Sequence, residues 1–441
     1  MKKPLLLLAL SLLTISSCLG QTKKKKTLSP PPPVKVEELK KDSSRTIAID
    51  QSMPSIHPGI APSLPSRNPN NQYSNNQIFT AYDMVMGEQF KPIEHVDLDK
   101  NAILIYDYDG TIKSFNLNTK TINWTFSAKD PAVNYSRNKF TLEDGVLYVP
   151  FINGELYALN HKTGEKFWEL KAGIKNSQYF KIWINQTPTI NNDLLYITSQ
   201  YENSNLYAFD KKTGNVVWNY KLAYPYNHLP LLYTNGKVIT QNAPYVYSFD
   251  AKTGKLLVQR DFKKAMYAKP ISDGERIYIA NESKTLYALN PETLETIWEL
   301  DLGESSVEQK IFTKEGNVYL ATDASFFAIE AKTGKIVWQT KSTADKYDDI
   351  EQLQEYNNTI YAYTKKGTLF QVNLKNGKID QSFVLQNRPI SNIEMQDKNT
   401  AFFYCEAGLI KLNLKDKKEE LVYMRNSIDE QTKENYIQLV R

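Results

Sequence analysis

The residues best equipped for chemistry are few and scattered. The four histidines are His57, His95, His161 and His228, and no two of them have the spacing of metal ligands. Apart from Cys18 there is only Cys405, so no intrachain disulfide is expected in the mature domain, and Cys405 sits in the apolar run Ala401–Cys405, where a buried, inert thiol is expected. Asp144, Asp193 and Asp273 fall in turn-like contexts and read as turn formers rather than paired carboxylates. The chain carries no Cys-x-x-Cys-His haem attachment, no phosphate-cradling glycine loop and no nucleophile elbow. No catalytic residue, metal or cofactor is therefore expected.

The elements around these residues are dominated by one repeated unit. Phe327–Trp338, FAIEAKTGKIVW, reads as a strand, a tight turn ending in Thr333-Gly334, and a second strand with tryptophan four residues beyond the glycine. Close copies begin at Tyr157, Tyr207, Tyr247 and Tyr287, and weaker ones at Lys113, Phe370 and Ile410. The turn position recurs at 120, 164, 214, 254, 294, 334, 377 and 417, at intervals of 40 to 50 residues. Eight units of this period indicate a repeat architecture. Alternating apolar positions mark half-buried strands, and Asn or Asp opens the turn by bonding its own backbone two residues on. Glycine closes it, the residue that takes a positive φ freely.

Upstream of each unit lies another apolar run, such as 194–200 or 317–323, and four spans add a short strand led by Pro188, Pro230, Pro270 or Pro389. Four strands per forty residues predict an all-β fold, an eight-bladed β-propeller of four-stranded antiparallel blades. Trp124, Trp168, Trp218, Trp298 and Trp338 are expected to dock each blade on its neighbour, because one small sheet cannot bury its own face. Two strand-like segments, 77–82 and 436–440, lie outside the eight units. One of them is expected to close the ring.

Ala158-x-Asn160-x-x-Thr163-Gly164-x-x-x-Trp168 resembles the signature of the quinoprotein-like (PQQ-repeat) propellers, and it recurs at Ala208–Trp218, Ala288–Trp298 and Ala328–Trp338. Leu294 replaces glycine in the third of these and Glu330 replaces Asp or Asn in the fourth. The resemblance covers roughly residues 90–425. It implies either a BamB-type lipoprotein scaffold of outer-membrane β-barrel assembly or a quinone-dependent dehydrogenase. The adjacent cysteine pair of many such dehydrogenases is missing here, as are long insertions.

The first 17 residues read as a signal peptide, with Lys2 and Lys3 ahead of an apolar core, Leu5–Leu13, too short to span a bilayer. Ile15-Ser16-Ser17-Cys18 resembles a bacterial lipobox, which implies lipidation at Cys18. A plain secretory signal is the alternative. Residues 18–80 are expected to form a flexible tether, with the run Pro30–Pro33 and an Asn-rich stretch that cannot bury a core. The propeller is expected to occupy 81–441. The tether holds nine basic and four acidic residues, so the basic excess lies beside the lipid anchor and does not argue for nucleic acid.

These readings together point to a non-enzymatic, lipid-anchored outer-membrane protein facing the periplasm that holds a protein partner. The resemblance suggests a β-barrel assembly protein as that partner. A small-ligand or glycan-binding lipoprotein and a quinone-dependent oxidoreductase are the alternatives. The partner surface is expected in the variable aromatic loops that follow the second and third units. Its candidates are Tyr179, Phe180, Trp183, Tyr224 and Tyr226, with plugging of the central channel or covering of blade ends as the alternative role for these rings.

Overall fold

The computed structural model describes residues 89–441 except 94–95, 108–109, 129–138, 152–153, 172–186, 192, 200–205, 225–228, 283, 304–306, 308–309, 343–347 and 426–437. The described elements are all strands, arranged as eight four-stranded antiparallel sheets. Each sheet is one blade of a propeller. Blades two to eight run in chain order over 141–171, 189–220, 232–261, 271–301, 311–341, 350–384 and 394–424, each from an inner strand to an outer one.

Blade one is assembled from both ends of the domain. Ala102–Tyr106, Thr111–Asn116 and Thr121–Ser127 supply three strands, and Gln438–Val440 supplies the innermost. Leu104, Ile105 and Tyr106 pair with Val440, Leu439 and Gln438. Of the two segments expected to close the ring, the C-terminal one does so, whereas 77–82 lies outside the described residues. Leu439 is fully buried among Ile103, Ile105, Phe402 and Tyr404. Asn392 of blade eight holds both backbone groups of Leu439, accepting from its N–H and donating to its carbonyl, each at 2.9 Å. The inner strand of blade eight is Glu394–Met395 rather than a strand led by Pro389. Ile390 is instead occupied in bonding the Tyr404 carbonyl.

The repeat tryptophans lie on the outer strands. Each indole N–H donates to a carbonyl in the third-to-outer turn of the next blade: Trp124 to His161, Trp168 to Lys211, Trp218 to Ala251, Trp298 to Ala331 and Trp338 to Leu374, at 2.9–3.2 Å. The turns are held by their opening residue, as at Asp210, whose Oδ1 accepts from the N–H groups of Lys212 and Thr213.

The glycine in that turn has a reason beyond its φ. All eight turn positions have positive φ, yet Lys120, Leu294 and Lys417 adopt 56–57° with a side chain. The five glycines, Gly164, Gly214, Gly254, Gly334 and Gly377, are those that follow a tryptophan-bearing blade. A Cβ on any of them would lie 2.4–2.8 Å from the indole. The other three turns follow blades with Val258, Gln381 or Leu421 at the tryptophan position. Behind Val258, the buried Leu294 takes the glycine position, and Arg260 supplies the interblade hydrogen bond to the Leu294 carbonyl at 2.6 Å. Tryptophan and glycine therefore act as one device. Gly334→Ala is expected to destabilise the parent by at least about 1 kcal/mol more than it destabilises a Trp298→Val background, in the range measured for contacting pairs. Urea melts of the four proteins read this coupling; equal costs in both backgrounds would contradict it.

The chain enters blade one along a strap over blade two. Phe90 and Lys91 N–H groups donate to the Phe167 carbonyl at 2.8 and 3.2 Å, and Gln89 bridges to Trp168. Ile93 and Val96 pack on the core between blades two and three. Asp99 N–H then donates to His161 Nε2 at 3.0 Å, which leaves Nδ1 to donate to the Gly145 carbonyl, also at 3.0 Å. Burial lowers the His161 pKa, in keeping with a neutral ring that uses both nitrogens structurally.

Candidate functional site: the connecting-loop end

The strand order divides the loops between two ends. Inner-to-second turns and the repeated third-to-outer turns share one end. Second-to-third corners and the crossings between blades share the other, and there the sequence varies most. Of the five aromatics expected to form a partner surface, Tyr179, Phe180, Trp183 and Tyr226 lie outside the described residues. Tyr224 is described, on the crossing from blade three to blade four. Its N–H donates to Asn242 Oδ1 at 2.7 Å, and its carbonyl accepts from Asn242 Nδ2 at 3.1 Å. Its ring is half-buried, tilted against the buried Tyr245 at 6.1 Å between centroids. The start of this crossing is therefore pinned to the second-to-third corner of the next blade.

A second feature of this end was hidden in the sequence. Asp107, at the second-to-third corner of blade one, is fully buried and receives Lys113 Nζ at 2.5 Å, Arg425 at 3.1 Å and the Tyr404 hydroxyl at 3.3 Å. Arg425 and Tyr404 belong to blade eight, so this charged knot joins the last blade to the first. A buried ion pair of this kind adds little net stability, but removing one partner alone leaves a buried charge uncompensated. The only sequence signal was a departure from the residues of blades three to six, where the same corner carries Ser199, Asn242, Asn281 and Thr322. At the corner of blade seven the buried Asp348 accepts from the Thr364 and Thr368 hydroxyls and the Lys366 N–H. Both aspartates accept from several donors, which suits holding corners.

One carboxyl on the inner strands is poised differently. Glu394, in blade eight, is pushed up to about 7 by burial, with Arg441 pulling the other way. Its folded pKa lies above its ordinary value of 4.5, so the folded state binds the extra proton. The stabilisation is complete below about 4.5 and is lost as pH rises through about 7. Glu394→Gln is expected to match the parent near pH 4 and to exceed it near pH 8 by on the order of 2 kcal/mol. Urea melts at the two pH values check this, and an unchanged difference between them would contradict it.

Among the described residues no group of three or more His, Cys, Asp or Glu side chains could hold a metal ion. Cys405 is buried, and burial raises its thiol pKa, away from nucleophilic use.

The comparisons with known proteins agree with this geometry. The BamB of Moraxella catarrhalis superposes with a TM-score of 0.56 at 16% identity, covering 74% of this chain and 96% of that one. The dihydro-heme d1 dehydrogenase NirN gives a TM-score of 0.58 at 10% identity, over 77% and 78% of the two chains. At such identities these likenesses concern the fold alone. A tetrathionate hydrolase of Acidithiobacillus ferrooxidans is 22% identical over 198 residues, which are 44% of this chain and 35% of that protein. The chain thus spans about a third of that relative's length. The family model described as outer membrane protein assembly factor BamB matches residues 108–243 and 242–403. A repeat-built eight-bladed ring matched by that model over most of its circumference leaves one assignment: the chain belongs to the family of the outer membrane protein assembly factor BamB.

Proposed function

We propose that the chain is a non-enzymatic lipoprotein scaffold of the outer membrane, anchored through Cys18 and facing the periplasm, whose connecting-loop end holds a protein partner in outer-membrane protein assembly. The observation that carries this reading is the family match running through both halves of the propeller. The pinned base of the Tyr224 loop supports the choice of surface, because a rigid scaffold presenting aromatic side chains suits an interface anchor. Tyr179, Phe180, Trp183 and Tyr226 enter the proposal on their sequence context.

The surface is tested with Trp183→Ala and Tyr179→Ala, each measured by melting and by pull-down. Partner capture should weaken by about 2 kcal/mol or more, the scale of an interface hot spot, while the melting midpoint holds. A lowered midpoint with capture intact would reject this surface. The anchor is tested with Cys18→Ala, which should release the chain to the soluble fraction or leave it as precursor. Processing and fractionation like the parent would place the anchor elsewhere.

A further inference from the structure

The outer strands carry a second repeated feature. In blades two to six the residue just before the docking tryptophan, or before Val258 in blade four, is the extra residue of a β-bulge, whereas blade one skips the polar Asn123. In blade two Ala158 pairs with Trp168 and Leu159 with Lys166, so Phe167 is skipped. The same shift falls at Val217, Leu257, Ile297 and Val337 in blades three to six. All five are large and apolar, at the outermost edge of the molecule, where a sheet offers unpaired backbone to any extended chain.

What covers such a position is visible in blade two. There Gln89–Lys91 lies antiparallel along the outer strand, Phe90 and Lys91 donate to the Phe167 carbonyl, and Phe167 is only 5% exposed. The pairing is reinforced from both sides, by Lys166 Nζ 4.3 Å from the Phe90 ring centroid and by Lys91 bonding Glu165 at 2.8 Å. In blades four to six the same residue is bare, with Leu257 at 42%, Ile297 at 48% and Val337 at 55% exposure. Blade six adds Ile336 at 44%, giving two adjacent exposed branched residues on one open edge. Lys335 and Lys341, both exposed and without an ion-pair partner among the described residues, bracket that pair. The neighbouring edge of blade five carries the opposite charge, with Glu295, Glu299 and Asp301 exposed around Ile297.

We infer that the outer edge of blade six, Ile336–Lys341, is a docking strand for an extended segment of a partner protein, one with alternating apolar residues and carboxylates at its ends. The segment adds a fifth strand as Gln89–Lys91 does on blade two, sets its apolar side chains on Ile336 and Val337, and places its carboxylates by Lys335 and Lys341. The surface is separate from the connecting-loop end and does not depend on which partner that end holds.

The probe is a fluorescein-labelled ten-residue peptide, alternating valine and threonine between terminal glutamates, titrated against the full chain. Saturable binding is expected. It should weaken at least tenfold in Ile336→Thr/Val337→Thr, whose threonines keep the strand propensity. It should be unchanged in Ile297→Thr on blade five. Equal binding by the double variant would overturn the inference. Equal binding of a peptide of the same composition with a central proline would do so too, since proline cannot pair through that position. Sedimentation showing a dimer of the parent that Val337→Thr dissolves would assign the edge to a second copy instead, and would equally overturn it.

Discussion

A chain ending at residue 437 is expected to lose its cooperative urea transition or to melt far earlier than the parent. Only four residues are removed, but three of them form the innermost strand of blade one. Without them the edge of Ala102–Tyr106 faces water, Asn392 loses two hydrogen bonds, and the fully buried Leu439 leaves a void beside Phe402 and Tyr404. Leu439→Ala alone should cost about 2–5 kcal/mol, the usual range for deleting a buried leucine side chain. The truncation removes that contact and the interblade closure together, so its midpoint must lie below that of Leu439→Ala. A truncated chain as stable as the parent would mean that the ring does not depend on this strand.

The second large effect is expected at Trp168. Its ring is fully buried, lies within van der Waals reach of Gly214 and donates to the Lys211 carbonyl at 3.0 Å. Trp168→Ala should cost about 3–5 kcal/mol. Trp338→Ala should cost less, because that ring is half-buried and, among the described residues, no segment covers its outer strand. A urea series on the two variants checks the order. A larger loss at Trp338 would show that the strap over blade two contributes little to burying Trp168.

Much of this fold was legible because the sequence repeats it. The 40-residue period, the alternating strands and the Asx-led turns are local, and local signals survive in a single chain. The glycines were legible in place but not in cause. A positive φ explains a glycine equally well at all eight turns, and only the packed neighbour shows why Lys120, Leu294 and Lys417 are tolerated at three of them. The inner strands were read less well. Pro389 mimics the prolines that precede the inner strands of other blades, but the strand forms five residues later, at Glu394–Met395. Neither closure feature had a local signal. The Asp107–Arg425 pair spans more than 300 residues of chain, and the C-terminal strand had an equally strand-like rival at 77–82. Of the expected partner surface, Tyr224 alone falls within the described residues. Its half-buried ring and bonded backbone could not be foreseen, because Asn242 lies on a different blade.

The central claim is that this propeller works by holding a protein. It is tested most directly by crosslinking in intact envelopes followed by pull-down of the tagged full chain, with captured proteins identified by mass. The account predicts recovery of an outer-membrane β-barrel assembly protein, reduced when Trp183 and Tyr179 are both replaced by alanine. A chain that captures no envelope protein, or whose purified form turns over a substrate with a bound quinone, would contradict it.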